Sequence, residues 1–191
     1  MKNKLSRRSF TTSMLAAGVM APTLAKAQEM ATAPDLAAPS YVSSSFVSLN
    51  WRDYFENLRK GVIVSDTRGR VLHYWSEEEE YLIYPTSVPL TEELTKRGRT
   101  SVVRLVEGPE WRPTPNMLRR DPDLPRYVGP GPENPLGTHA MYLSWQYYRI
   151  HGTNDTRKIG RQASNGCIGL YNEDILDLFG RCKVGTQVIL I

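Results

Sequence analysis

One stretch of the chain sets a reactive side chain among residues that offer it almost no cover: Ser164-Asn165-Gly166-Cys167-Ile168-Gly169-Leu170. A cysteine sulfur attacks as the thiolate. A working thiol therefore needs a base beside it, donors for the oxyanion it creates, and open space for the carbonyl it approaches. Glycine serves the last two needs. Gly166 lets the backbone bend where a Cβ would clash, and lets a substrate come close to the main chain. The N–H groups of Gly166 and Cys167 can then converge on one spot, an oxyanion hole, with Asn165 as a further donor or orienting group.

The base should be a histidine. The chain has three: His73, His139 and His151. His73 falls in an alternating strand pattern, and His139 follows a Pro/Gly-rich loop. His151 ends the run Tyr147-Tyr148-Arg149-Ile150, precedes Gly152, and lies sixteen residues before Cys167. A strand end is a rigid platform, and an imidazole there would draw the thiol pKa down from its ordinary value. A backbone carbonyl, that of Gly152, can orient the ring. The competing use of Cys167 is a disulfide with Cys182, the chain's other cysteine. That bond would consume the nucleophile. There is no Cys-x-x-Cys to suggest redox exchange.

The elements that must position this pair are mostly extended. Val62–Asp66, the run around Val71–Ser76, Tyr81–Val88, Thr100–Gly108, Thr138–Ser144, Tyr147–Gly152 and Thr186–Ile191 read as strands. Asn172–Arg181 reads as a helix, with Asn172 as N-cap, Glu173 and Asp174 at the positive end of the dipole, and Ile175, Leu178 and Phe179 on the buried face. Asn50–Gly61 reads as a short amphipathic helix: Trp51, Tyr54, Phe55 and Leu58 fall at i, i+3, i+4 and i+7. The proline density between Glu107 and Gly137 excludes a central strand or long helix and makes that segment a long ordered loop or a lid. The expected class is mainly β, a sandwich or curled sheet with short helices and a Pro-rich loop.

The N-terminus reads as an export signal. Lys2, Lys4, Arg7 and Arg8 precede an apolar run, and Ala25 and Ala27 suit cleavage before Gln28. The pair Arg7-Arg8 points to the twin-arginine route. The apolar run is too short to span a bilayer, and no later segment is long enough. The whole chain carries 24 basic and 20 acidic residues, a net +4. Five of the basic residues lie in 1–27, so the remainder carries about −1 and offers no electrostatic case for a nucleic-acid partner. The expected division is a signal peptide at 1–27, an Ala/Pro/Ser-rich tether with the short helix at 28–59, and a catalytic domain at 60–191.

The segments Tyr148–Asp155, Ile159-Gly160, Ser164–Leu170, Asn172–Asp174 and Val184–Leu190, in that order and preceded by Asn134-Pro135-Leu136-Gly137, resemble the L,D-transpeptidase catalytic domain, or YkuD, family. The resemblance implies a β-sandwich with a capping loop, located in the periplasm. It implies that Cys167 is the nucleophile and His151 the general base and acid. Gly152 would give backbone orientation, the Gly166 and Cys167 N–H groups the oxyanion hole, and Asn165 a donor. The implied donor substrate is a peptidoglycan stem peptide, attacked after its third residue. The acyl group then passes to an amine, for which an outer-membrane protein is one candidate source. No metal or organic cofactor is implied. Two positions depart from the family pattern: Asn165 stands where histidine is usual, and Gly169 where arginine is usual. Arg149, Arg157 and Arg161 are the nearby cations that can substitute. These departures keep open an amidase or L,D-carboxypeptidase using the same pair, or a wall-binding scaffold without turnover.

Overall fold

The computed structural model describes residues 48–191. The expected signal peptide and most of the tether lie outside the described residues. Ten strands form two sheets among the described residues. They are β1 (Val62–Asp66), β2 (Val71–Trp75), β3 (Tyr81–Pro85), β4 (Val88–Pro89), β5 (Gly98–Glu107), β6 (His139–Leu143), β7 (Arg149–His151), β8 (Gln162–Ser164), β9 (Ile168–Gly169) and β10 (Gln187–Leu190). Two α-helices accompany them, α1 (Pro115–Arg120) and α2 (Asn172–Arg181). The curled main sheet has the order β3-β2-β1-β10-β5-β6-β7-β9, and β4 pairs with β8. The mainly β expectation holds.

Strand alternation sets the two faces. Ile63, Leu72, Met141, Ile150, Ile168 and Leu190 point to one side and pack with Ile175 and Leu178 of α2. Each is fully buried, which contributes about 1.5–3 kcal/mol per side chain. Val62, Val64 and Trp75 point to the other side, under Phe55 and Leu58. Strand β1 is thus buried on both faces, which explains why its sequence Val-Ile-Val does not alternate.

The residues before β1 do cover the sheet, but not as the expected helix. Only Trp51–Asp53 makes a 3-10 turn, started by Asn50, whose side chain accepts from the Arg52 N–H at 3.1 Å. The Asn57 side chain then accepts from the Arg59 N–H at 3.1 Å, offering the backbone a local turn in place of a helical bond. The apolar spacing that suggested a helix reflects a face to be covered.

Helix α2 lies where expected, with one correction. Its N-cap position is Tyr171, and Asn172 is the first helical residue. The Asn172 side chain is engaged elsewhere, as described below. On the far side of the helix, Tyr84 donates to Asp177 at 2.5 Å and Arg181 pairs with Asp177 at 2.9 Å, fixing it over the sheet.

The Pro-rich segment is an ordered cap. Fully buried Asn134 organises it: its Nδ2 donates to the carbonyls of Pro109 at 2.6 Å and Gly129 at 2.9 Å, and its Oδ1 accepts from the Leu136 N–H at 2.8 Å. Within the cap, Pro115 occupies the first turn of α1 and the Thr114 hydroxyl accepts from the Met117 N–H at 3.3 Å.

Candidate active site

The five residues singled out in the sequence meet at the edge of the main sheet. His151 ends β7, and Asn165, Gly166 and Cys167 form the connection from β8 to β9. Strands β7 and β9 are parallel, with Ile150 beside Ile168 and His151 beside Gly169. Stepping that register back by one residue puts Cys167 beside Arg149. Ile150 and Ile168 face the core, so Cys167 and His151 share the opposite face. Gly166 adopts φ +124°, a conformation that strains any residue with a Cβ. Its N–H makes only a long contact, 3.4 Å, to the Ser164 hydroxyl. That hydroxyl donates to the Cys167 carbonyl at 2.5 Å and ties the turn together.

The His151 ring is buried, and its Nδ1 lies 2.5 Å from the Gly152 carbonyl. A carbonyl can only accept, so Nδ1 carries the proton and donates, and Nε2 is left as the basic nitrogen. Burial draws the His151 pKa down to about 4, against the pull of the Gly152 carbonyl and helped by the Arg149 and Lys158 charges. Burial also raises the Cys167 thiol, while the Arg149 charge and N–H groups draw it back. Both groups are therefore neutral at rest. The remaining histidines have structural contacts. His73 bonds the Tyr81 hydroxyl at 2.7 Å, and the His139 ring packs against Phe179 at 4.8 Å. Cys182 is buried in the core and pushed up to about 12, so it offers no competing thiolate. Both cysteines are free thiols.

Asn172 anchors the backbone beneath His151. Its Oδ1 accepts from the N–H groups of Thr138 and Thr153, each at 3.2 Å, and its Nδ2 donates to the Thr153 carbonyl at 3.0 Å. A Cβ on Gly137 or Gly152 would stand 2.2 or 2.3 Å from that same Oδ1. Gly137, Gly152 and Asn172, far apart in sequence, form one knot in which both glycines leave room for the carboxamide. Sequence reasoning assigned Asn172 to helix capping and missed this role.

Asn165 faces the cap: Arg120 of α1 donates to its Oδ1 at 2.5 Å. Beside them a cavity of about 250 Å³ is lined by Thr114, Asn116, Arg120, Tyr147, Tyr148 and Asn165, among others. The Tyr147 carbonyl, 3.3 Å from Cys167 Sγ, links that cavity to the sulfur. Gly169 has its own physical reason. Its N–H and carbonyl pair with Ser87, and a Cβ there would stand 2.4 Å from the Ser87 hydroxyl. Of the three candidate cations, Arg157 is paired with Asp155 at 2.8 Å and Arg161 is exposed, while Arg149 shares the Tyr147 carbonyl with Cys167. Among the described residues no group of three or more His, Cys, Asp or Glu side chains is arranged to hold a metal.

A thiol, an imidazole with one nitrogen fixed and the other free, and a glycine turn with backbone donors make an arrangement that can carry out acyl transfer through a thioester. The sequence model of the L,D-transpeptidase catalytic domain matches residues 59–190, and the chain belongs to that family, YkuD. A Fuscovulum blasticum protein, described as an L,D-transpeptidase in the ATP synthase subunits region, is 57% identical over 159 residues, 81% of this chain and 84% of the relative. The Escherichia coli protein ErfK/SrfK, described as an L,D-transpeptidase, is 38% identical over 141 residues, 71% of this chain and 45% of the relative. The chain thus spans less than half the length of that relative. L,D-transpeptidase 3 from Mycobacterium tuberculosis shares the fold, with a TM-score of 0.55 at 16% identity over 69% of this chain and 61% of that one.

Proposed function

We propose that this chain is an exported, periplasmic L,D-transpeptidase whose donor substrate is a peptidoglycan stem peptide. The observation that carries the reading is the His151 Nδ1–Gly152 carbonyl bond at 2.5 Å, which commits Nδ1 and leaves Nε2 as the basic nitrogen on the face that also carries Cys167. His151 Nε2 takes the thiol proton as Cys167 Sγ attacks the carbonyl after the third stem residue. The oxyanion is held by the N–H groups of Gly166 and Cys167, with Asn165 beside them. The C–N bond breaks, His151 returns the proton to the leaving D-amino acid, and a thioester remains on Cys167. An amine then attacks the thioester, gives its proton to His151, and expels the thiolate, which recovers that proton. Every bond change uses the thiol and one imidazole, so the reaction needs no metal or organic cofactor. An outer-membrane protein is one acceptor that would present such an amine.

The test is to incubate the purified protein with disaccharide-tetrapeptide and analyse the products. Cross-linked dimer with release of the terminal D-residue supports transpeptidation. Tripeptide alone would replace it with a hydrolase on the same thioester, and unchanged substrate with intact wall binding would favour a scaffold.

A further inference from the structure

The mechanism leaves one strong group at the sulfur without a task. Arg149 stands beside Cys167 across the β7–β9 pairing, on the face that also carries His151. Cys167 Sγ donates to the Tyr147 carbonyl at 3.3 Å, and Arg149 Nη1 donates to the same oxygen at 3.4 Å. One carbonyl therefore brings the thiol and the guanidinium together. Tyr147 holds φ +68°, so a strained turn aims that carbonyl. Arg149 Nε is buried and has no hydrogen-bond partner among the described residues. The guanidinium also lies over the Tyr142 ring, 4.9 Å from its centroid, which restricts where it can swing.

A carbonyl oxygen suits a thiol, which has a proton to donate. It repels a thiolate, which has none. A buried guanidinium N–H without a partner has the opposite preference. We propose that Arg149 is the fixed cation that stabilises the Cys167 thiolate, taking over from the Tyr147 carbonyl as the thiol loses its proton. The arrangement explains how this site works with Gly169 two residues beyond the sulfur, where Ser87 fills the space a longer side chain would need. The inference rests on the reading of Cys167 as the nucleophile, but it concerns the sulfur alone.

The other titratable or charged groups around Cys167 and Arg149 are His151 on β7, Tyr147 and Tyr148 on the preceding turn, Tyr142 on β6, Arg104 of β5 over the same Tyr142 ring at 3.9 Å, Lys158 acting on His151, and Arg120 of α1 bonded to Asn165. The test follows alkylation of Cys167 by iodoacetamide against pH in the whole protein, with the Cys167 peptide quantified by mass spectrometry. The sulfur forms a thioether and iodide leaves, so no wall substrate is involved. Arg149→Gln should raise the apparent thiol pKa by about one unit and slow alkylation at pH 7 about tenfold. The rate at high pH, where the thiolate is fully formed, should stay the same. Arg149→Lys should recover most of the neutral-pH rate. Arg149→Met keeps the stem over Tyr142 and should match the Gln variant, and it carries the test if Arg149→Gln fails to fold. An unchanged profile in the neutral variants, or a Lys variant as slow as Gln, would overturn the proposal. An Arg149-dependent thiol in a protein inert toward stem peptides would sink the proposed function and leave this inference standing.

Discussion

Replacing Asn172 with alanine tests whether the floor under His151 is one hydrogen-bonded knot. The substitution removes three bonds: Oδ1 to the N–H groups of Thr138 and Thr153, and Nδ2 to the Thr153 carbonyl. Thr138 is exposed, so water can replace its partner. Thr153 is buried, so its N–H and carbonyl are left without one. Each such group costs about 1–3 kcal/mol, and partial water entry brings the sum to about 3 kcal/mol. For a domain of this size that lowers Tm by roughly 6–12 °C. Asn172→Asp keeps the acceptor for both N–H groups but turns a carboxylate oxygen toward the Thr153 carbonyl, so it should cost at least as much. Urea unfolding of the two variants measures both figures. The knot also positions Gly152, and through its carbonyl the His151 ring. Asn172→Ala should therefore lower turnover more than its residual folded fraction explains. A cost below about 1 kcal/mol, or an Asp variant clearly more stable than the Ala variant, would contradict this picture of the knot.

Three further outcomes are expected. His151 is held neutral with a pKa near 4 against 6.5 in the unfolded chain. The unfolded state binds the extra proton first as pH falls, so stability drops between about pH 6.5 and 4, by up to roughly 3 kcal/mol; His151→Gln should remove that part of the acid slope, read from urea unfolding at several pH values. Gly169→Ala should cost about 1–2 kcal/mol in the native background and close to nothing beside Ser87→Ala, because the overlap is with the Ser87 hydroxyl; equal costs in a double-mutant cycle would show that Ser87 is not the obstacle. Asn134→Ala strips the cap of its buried bonds to the Pro109 and Gly129 carbonyls and the Leu136 N–H. Limited proteolysis should then cut within residues 110–133 well before the sheet, and cutting no earlier than in the native protein would contradict that role.

How much of this was legible in the sequence depended on range. The long strands announced themselves through β-branched runs, and α2 through Ile175, Leu178 and its acidic first turn. Strands β4, β8 and β9 are two or three residues long and carry no periodic signal, yet β9 is what sets Cys167 beside β7. The helix expected over Asn50–Gly61 failed because apolar spacing reports the face to be covered and not the backbone that covers it. At the site, a cysteine between glycines and a histidine at a strand end were readable from local chemistry. The Gly137–Gly152–Asn172 knot was not, since three distant segments create it and each glycine alone has a commoner explanation. Arg149 stood out only as one of three nearby arginines. Which of them meets the sulfur was decided by strand register, and by the Asp155 carboxylate that engages Arg157.

The most direct test of the central claim is the intact mass of the protein during reaction with disaccharide-tetrapeptide, followed by peptide mapping. The account predicts a thioester adduct on Cys167, equal in mass to the disaccharide-tripeptide acyl group. It should be absent in Cys167→Ala and slow to form in His151→Gln. An adduct at any other residue, or cross-linked product formed by folded Cys167→Ala protein, would contradict it.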